Sequence, residues 1–105
     1  MLHASFLLIA SVALLSIGLY GLMTRRNAIR LFISSELVVN AGILAAMTAF
    51  IYIGHSLPAG EAFLLYSIVL VAAESAIGIA LFLLIMKLFA TPQLDEIRKI
   101  REELS

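Results

Sequence analysis

Two carboxyl groups stand where a carboxyl group is hardest to keep. Glu74 is preceded by twelve uncharged residues (62–73) and followed by twelve more (75–86). At a helical rise of about 1.5 Å per residue, that is about 18 Å of apolar chain on either side, the depth of a bilayer midplane. Glu36 lies nine residues past Asn27, roughly 13 Å below the basic end of its own segment. The two acids therefore sit at similar but not identical depths. An acid at the midplane costs on the order of 2.5–3.5 kcal/mol on insertion scales. Such a side chain must face protein or a water-filled cavity rather than acyl chains. A low dielectric disfavours the charged form of any carboxyl group, and a group brought near neutrality exchanges protons readily. The chemistry expected of Glu36 and Glu74 is uptake and release of protons within the membrane. The competing expectation is a structural hydrogen bond that locks helix packing.

The neighbours of the acids point to burial against protein. Ala72, Ala76 and Ala80 recur every fourth residue, and Gly78 follows Glu74 by four. In the earlier segment Ala41, Ala45 and Ala49 recur likewise, and Gly42 pairs with Ala46. Small residues at this spacing let membrane helices approach closely. Asn40 lies four residues after Glu36, on the same helical face. It is placed to hydrogen-bond either the carboxyl group or a neighbouring helix. Ser34, Ser35, Ser67 and Ser75 offer hydroxyls that hold water or simply sit in membrane helices. Arg25, Arg26 and Arg30 read as topology anchors, or else as a positive field at the cytoplasmic mouth of a proton path or a contact with a partner. Glu61 opens the third apolar segment, where a carboxylate suits the helix dipole. His3 and His55 fall at segment ends and form no metal motif. Lys87 snorkels to the interface.

These residues must be carried by membrane-spanning helices. The chain has 105 residues, 63% hydrophobic and 13% charged, with a mean hydropathy of +1.11. Soluble chains sit nearer ~45–50% apolar and ~25% charged, and a short soluble domain has no interior large enough for this much apolar surface. A soluble enzyme, a nucleic-acid binder and a disordered chain are excluded. Zero net charge and the absence of cysteine leave no basis for a polyanionic partner, a disulfide, an iron–sulfur cluster or a thiolate metal site. Three runs reach the ~20 residues a bilayer core requires, at about 3–23, 28–53 and 62–88. The first has no basic region before it and no cleavage motif after it, so it is expected to be a retained span rather than a signal peptide. The breaks at 24–27 and 54–60 have turn chemistry. Basic residues in the first loop and in the tail place both in the cytoplasm, with the N-terminus outside.

The expected fold is all-α: a three-helix transmembrane domain over residues 1–90, N-out and C-in, and a polar cytoplasmic tail helix over 91–105. Tyr20, Tyr52 and Phe89 lie near span ends, where aromatic rings favour the interface. In the tail, Thr91 is a candidate cap and Pro92 suits a first turn. Asp95 and Glu96 favour the start of its dipole. Asp95–Lys99, Arg98–Glu102 and Lys99–Glu103 are oppositely charged pairs four apart. A narrow stripe of Leu94, Ile97, Ile100 and Leu104 makes it either a solvated helix or a docking helix for a cytoplasmic partner. Three helices and two acids do not complete a transporter, so the chain is expected to be one subunit of a larger assembly.

Several segments carry a family resemblance: Gly18-Leu19-Tyr20-Gly21-Leu22-Met23-Thr24-Arg25-Arg26-Asn27, Glu36-Leu37-Val38-Val39-Asn40-Ala41, Gly60-Glu61-Ala62-Phe63 and Ala72-Ala73-Glu74-Ser75-Ala76-Ile77-Gly78. Together they resemble the NuoK family, the small three-helix membrane subunit of respiratory complex I (NADH–quinone oxidoreductase) and its chloroplast and archaeal relatives. The pairing of Glu-x-x-x-Asn-Ala with Ala-Ala-Glu-x-Ala-Ile-Gly is the specific part. The resemblance implies a proton-translocating subunit without a redox centre, placed between the quinone-site subunits and the antiporter-like subunits. It implies that Glu36 and Glu74 belong to a hydrophilic axis along the membrane arm, and that Arg25 and Arg26 are the family's loop arginines. NADH, flavin, iron–sulfur clusters and quinone are then expected elsewhere in the complex, with no cofactor or metal on this chain. Ile43 stands where many members carry a second Asn, Val69 where many carry Thr, and Ser75 where Ala is usual. These departures change the hydrogen-bonding groups beside the acids.

The resemblance extends through the second span to a subunit of multisubunit cation/proton antiporters and membrane-bound hydrogenases. The antiporter version usually lacks the third-span acid, so Glu74 favours the complex I reading. Equivalent subunits serve complexes oxidising reduced deazaflavin or ferredoxin. The expected location is an energy-transducing membrane, the prokaryotic inner membrane first. A stand-alone small exporter would need four spans, usually with an acid in the first.

Overall fold

The computed structural model describes residues 2–53 and 57–104. The described residues form four helices: α1 (Leu2–Thr24), α2 (Ala28–Ile53), α3 (Leu57–Phe89) and α4 (Leu94–Leu104). The first three are long and apolar enough to cross a membrane, and the molecule measures 58 × 24 × 17 Å. It is an all-helical integral membrane chain. Of the expected break at 54–60, residues 54–56 lie outside the described residues, and 57–60 belong to the first turn of α3.

α1 and α2 form the tight pair, and small residues make it possible. The buried positions of α1 are Ala4, Ser11, Gly18 and Gly21; those of α2 are Ser34, Ala41 and Thr48. Ala4, Ser11 and Gly18, like the three positions on α2, repeat every seven residues, the period that keeps one seam of a helix on its partner. Between membrane helices there is little hydrophobic drive, so close backbone approach carries the association. A Cβ on Gly18 would stand 2.7 Å from Val38 Cγ2 and 3.0 Å from the Ser34 carbonyl oxygen. A Cβ on Gly21 would collide with the Ser34 side chain. The Ser11 hydroxyl donates across the seam to the Ala41 carbonyl at 2.8 Å. Ser34 and Thr48 donate to the carbonyls of Arg30 and Leu44 within their own helix, each at 2.8 Å, which satisfies their polar atoms without water. The stripe expected on α2, Ala41-Ala45-Ala49, is only partly used: Ala41 is buried, Ala45 half-buried and Ala49 exposed.

α3 runs antiparallel to α2 and touches it lightly. Gly78 admits the Phe32 ring, and the rings of Phe50 and Phe63 meet at 5.6 Å between centroids near the other end. None of its most apolar stretch is buried. Ala72, Ala76 and Ala80 are exposed, so the small-residue stripe of α3 is unpacked within this chain.

Helix ends account for the differences from the expected boundaries. α3 begins at Leu57 rather than near 62, because a proline in a first turn gives up only an amide that the helix cannot pair anyway. Glu61 thereby falls beyond the first turn, where the dipole is weak. Asn27 caps α2: its Oδ1 accepts from the amides of Ile29 and Arg30 at 3.0 and 3.4 Å. α4 begins at Leu94, so Thr91 does not cap it directly. The Thr91 hydroxyl accepts from the Gln93 amide at 3.2 Å instead, and Pro92 lies before the helix.

The segment before α4 is tied to the first loop. Asn27 and Gln93 form an antiparallel bridge, with Ala28 N donating to Pro92 O at 2.9 Å and Leu94 N to Arg26 O at 3.0 Å. Arg26 Nη1 meets Asp95 Oδ1 at 3.0 Å. Asp95 therefore faces the loop rather than Lys99. Of the expected pairs along the tail, Arg98–Glu102 forms at 3.5 Å.

Candidate functional site: the seam between α2 and α3

Glu36 sits on the seam where α2 meets α3. One helical turn earlier, Phe32 fills the space left by Gly78, which brings the two backbones close enough for short side chains to meet. The Ser75 hydroxyl then donates to Glu36 Oε1 at 3.2 Å. Glu36 is half-buried. Among the described residues this is the polar side-chain contact that joins α2 to α3 in the span region. It links the Glu36 carboxyl to the residue next to Glu74.

Further along the same seam the helices diverge. Asn40, Ile43, Ile68, Val71 and Ala72 line an open groove of about 340 Å³. Its walls are aliphatic except for the Asn40 amide, which is exposed. Asn40 lies one turn after Glu36 on α2, and Ala72 two residues before Glu74 on α3. Neither acid lines the groove.

Glu74 is exposed. The expectation that its small neighbours bury it against other helices is not met within this chain, because α3 packs through Gly78 and Ser75 rather than through Ala72, Ala76 and Ala80. Any cover for the Glu74 carboxyl must come from outside these three helices. Arg25 and Arg26 remain at the loop end: Arg26 is bound to Asp95, and Arg25 lines a shallow groove of about 310 Å³ with Arg30, Ile33 and Ser34. The structure brings Glu36 to α3, sets Asn40 beside the seam, and leaves the arginines at the loop end of the helices.

A carboxyl group that accepts a hydroxyl hydrogen bond is chemically able to bind and release a proton, and the Asn40 amide lies one turn away along α2. Ser75 as a direct partner of Glu36 went unforeseen. The available signal was the pairing of Glu74 with an adjacent hydroxyl in an otherwise apolar run. Among the described residues no group of three His, Asp or Glu side chains is placed to hold a metal ion.

A family model described as NADH-ubiquinone/plastoquinone oxidoreductase chain 4L matches residues 6–102. The chain is 36% identical over 100 residues to NAD(P)H-quinone oxidoreductase subunit 4L of Synechocystis sp., covering 95% of this chain and 97% of that protein. It is 37% identical over 101 residues to NADH-quinone oxidoreductase subunit K of Roseiflexus castenholzii, covering 96% and 99%. It is 39% identical over 94 residues to the subunit K of Hamiltonella defensa, covering 90% and 92%.

Proposed function

Because the chain belongs to the NADH-ubiquinone/plastoquinone oxidoreductase chain 4L family, we propose that it is a proton-translocating membrane subunit of a complex I-type quinone reductase. Glu36 and Glu74 are its proton-transferring residues, and Asn40, Arg25 and Arg26 support them. The redox chemistry of the complex (NADH, flavin, iron–sulfur clusters and quinone) resides on other subunits. Antiporter-like and quinone-site subunits are its neighbours in the membrane. The basic residues of the first loop and the tail orient the chain N-out and C-in in a prokaryotic inner membrane.

The observation that carries this reading is the Glu36 carboxyl on the α2–α3 seam, holding the Ser75 hydroxyl at 3.2 Å at a depth where an acid without a task is costly. The expected mechanism is protonation and release at Glu36 and Glu74 in turn. Removing a proton-transfer group typically costs 10²–10⁴-fold in the step it serves. Glu36→Gln and Glu74→Gln keep the shape and hydrogen-bonding capacity of each side chain but cannot ionise. In native membranes, each variant should assemble normally on a native gel while quinone-linked proton pumping falls by on the order of tenfold or more. Normal turnover and pumping in both variants would refute the proposal. The peripheral subunits that co-purify identify the electron donor. Iron–sulfur and flavin subunits support a quinone reductase, ferredoxin- or deazaflavin-linked subunits its relatives, and antiporter subunits alone a cation/proton antiporter.

A further inference from the structure

The structure assigns a role to Ser75 that neither acid explains. We propose that Ser75 is a positioning residue of the proton path: its hydroxyl fixes the Glu36 carboxyl toward α3, on the side next to Glu74. This deepens the reading of Glu36 and Glu74 as proton carriers and rests on it.

Three observations support the assignment. The hydroxyl lies 3.2 Å from Glu36 Oε1, and its geometry is that of a donor to a carboxylate. Other serines of the spans behave differently: Ser11, which does cross to a neighbouring helix, meets only the backbone carbonyl of Ala41, and Ser34 and Ser67 turn their hydroxyls back onto their own helices, to Arg30 O and Phe63 O at 2.8 Å. That is the usual resting place for a hydroxyl in a membrane helix. Ser75 instead gives its only proton to an ionisable side chain on a neighbouring helix. Finally, Gly78 lets Phe32 enter α3 one turn away, so the two helices are held close at the level of the contact.

A carboxyl group on a flexible side chain has several rotamers, and a proton carrier works only from those that face the next carrier. The Ser75 hydroxyl selects one of them. The groups around Glu36 are few. α1 carries no Lys, Arg, Asp or Glu; α3 contributes Ser75 and, beside it, Glu74; α2 contributes Asn40 one turn later and Arg30 at its cytoplasmic end. Ser75 is thus the only hydroxyl that bridges from α3 to this carboxyl among the described residues.

The test compares Ser75→Thr with Ser75→Val in the assembled complex. The two replacements have nearly the same shape and differ by a hydroxyl, so a role in packing alone treats them alike. Ser75→Ala removes the oxygen without adding bulk and covers the case in which the larger Val disturbs assembly. Quinone-linked proton pumping is measured for each, alone and on a Glu36→Gln background. Expected results are near-native pumping for Ser75→Thr, on the order of tenfold lower pumping for Ser75→Val and Ser75→Ala, and no further loss when Ser75→Ala is added to Glu36→Gln. Equal pumping in the Thr and Val variants, or an undiminished effect of Ser75→Ala without the Glu36 carboxylate, overturns the inference. If Glu36→Gln and Glu74→Gln themselves pump normally, it is the parent reading that fails.

Discussion

The seam between α1 and α2 makes a quantitative prediction through Gly18→Ala. The added Cβ would stand 2.7 Å from Val38 Cγ2, 3.0 Å from Ser34 O and 3.0 Å from Val38 N, where comfortable non-bonded contacts lie at about 3.5–4.0 Å. The valine methyl can turn aside, but the two backbone atoms cannot. The helices must therefore separate by roughly 0.5 Å, a displacement of the size that makes overpacked cores lose about 1–3 kcal/mol. The same separation stretches the Ser11–Ala41 hydrogen bond from 2.8 Å, and interhelical bonds of this kind are worth about 0.6 kcal/mol in membranes. The sum is about 2 kcal/mol, roughly thirtyfold in the equilibrium between packed and separated helices. Gly42→Ala is the matched control, since nothing lies within 4 Å of a Cβ built there. The chain lacks cysteine, so one introduced on α1 and one on α2 can carry an energy-transfer pair. The transition is then followed during an SDS titration of the purified chain in mixed micelles. Stability of Gly18→Ala equal to the native chain, or an equal loss in Gly42→Ala, would show that the close approach at Gly18 is not what holds the pair together.

Two further outcomes concern the connection to the tail. Ala90 has φ of 55° and donates its amide to Met86 O at 3.0 Å, the left-handed position at which helices usually place glycine. Ala90→Gly should stabilise the turn by about 0.5–1 kcal/mol, seen as slower amide hydrogen exchange at residues 89–94; faster exchange would contradict the strain. Arg26–Asp95 is solvent-exposed on both sides, and such pairs contribute ~0–1 kcal/mol. Asp95→Asn should leave the spin-label distance between the first loop and α4 unchanged, because the backbone bonds of Ala28 and Leu94 hold the two segments. Release of the tail would mean that the ion pair is its main tether.

The spans were legible because apolar runs of about twenty residues have one physical outlet, and the two acids because they are the only charged side chains away from the ends of those runs. The partners of the spans were less visible. Fourfold spacing of alanine drew attention to Ala41-Ala45-Ala49 and Ala72-Ala76-Ala80, whereas packing follows the sevenfold sets Ala4-Ser11-Gly18 and Ser34-Ala41-Thr48. Serine, threonine and glycine look like unrelated types until one sees that each keeps the backbone near a neighbour. The start of α3 was misplaced because Pro58 and Gly60 signal a turn as readily as a first helical turn. The exposure of Glu74 was not legible at all, since sequence spacing tells which face a residue occupies but not which polypeptide covers it.

That exposure has a consequence for biogenesis. A chain released alone into the bilayer would present the Glu74 carboxyl to acyl chains on a helix with nothing packed over it, at a cost on the order of 2.5–3.5 kcal/mol. Recruitment of a neighbouring subunit that covers the carboxyl removes this cost, so the exposed acid makes an orphan copy the least stable form of the polypeptide. Assembly of the membrane arm should then proceed with this chain joining early and seldom accumulating on its own.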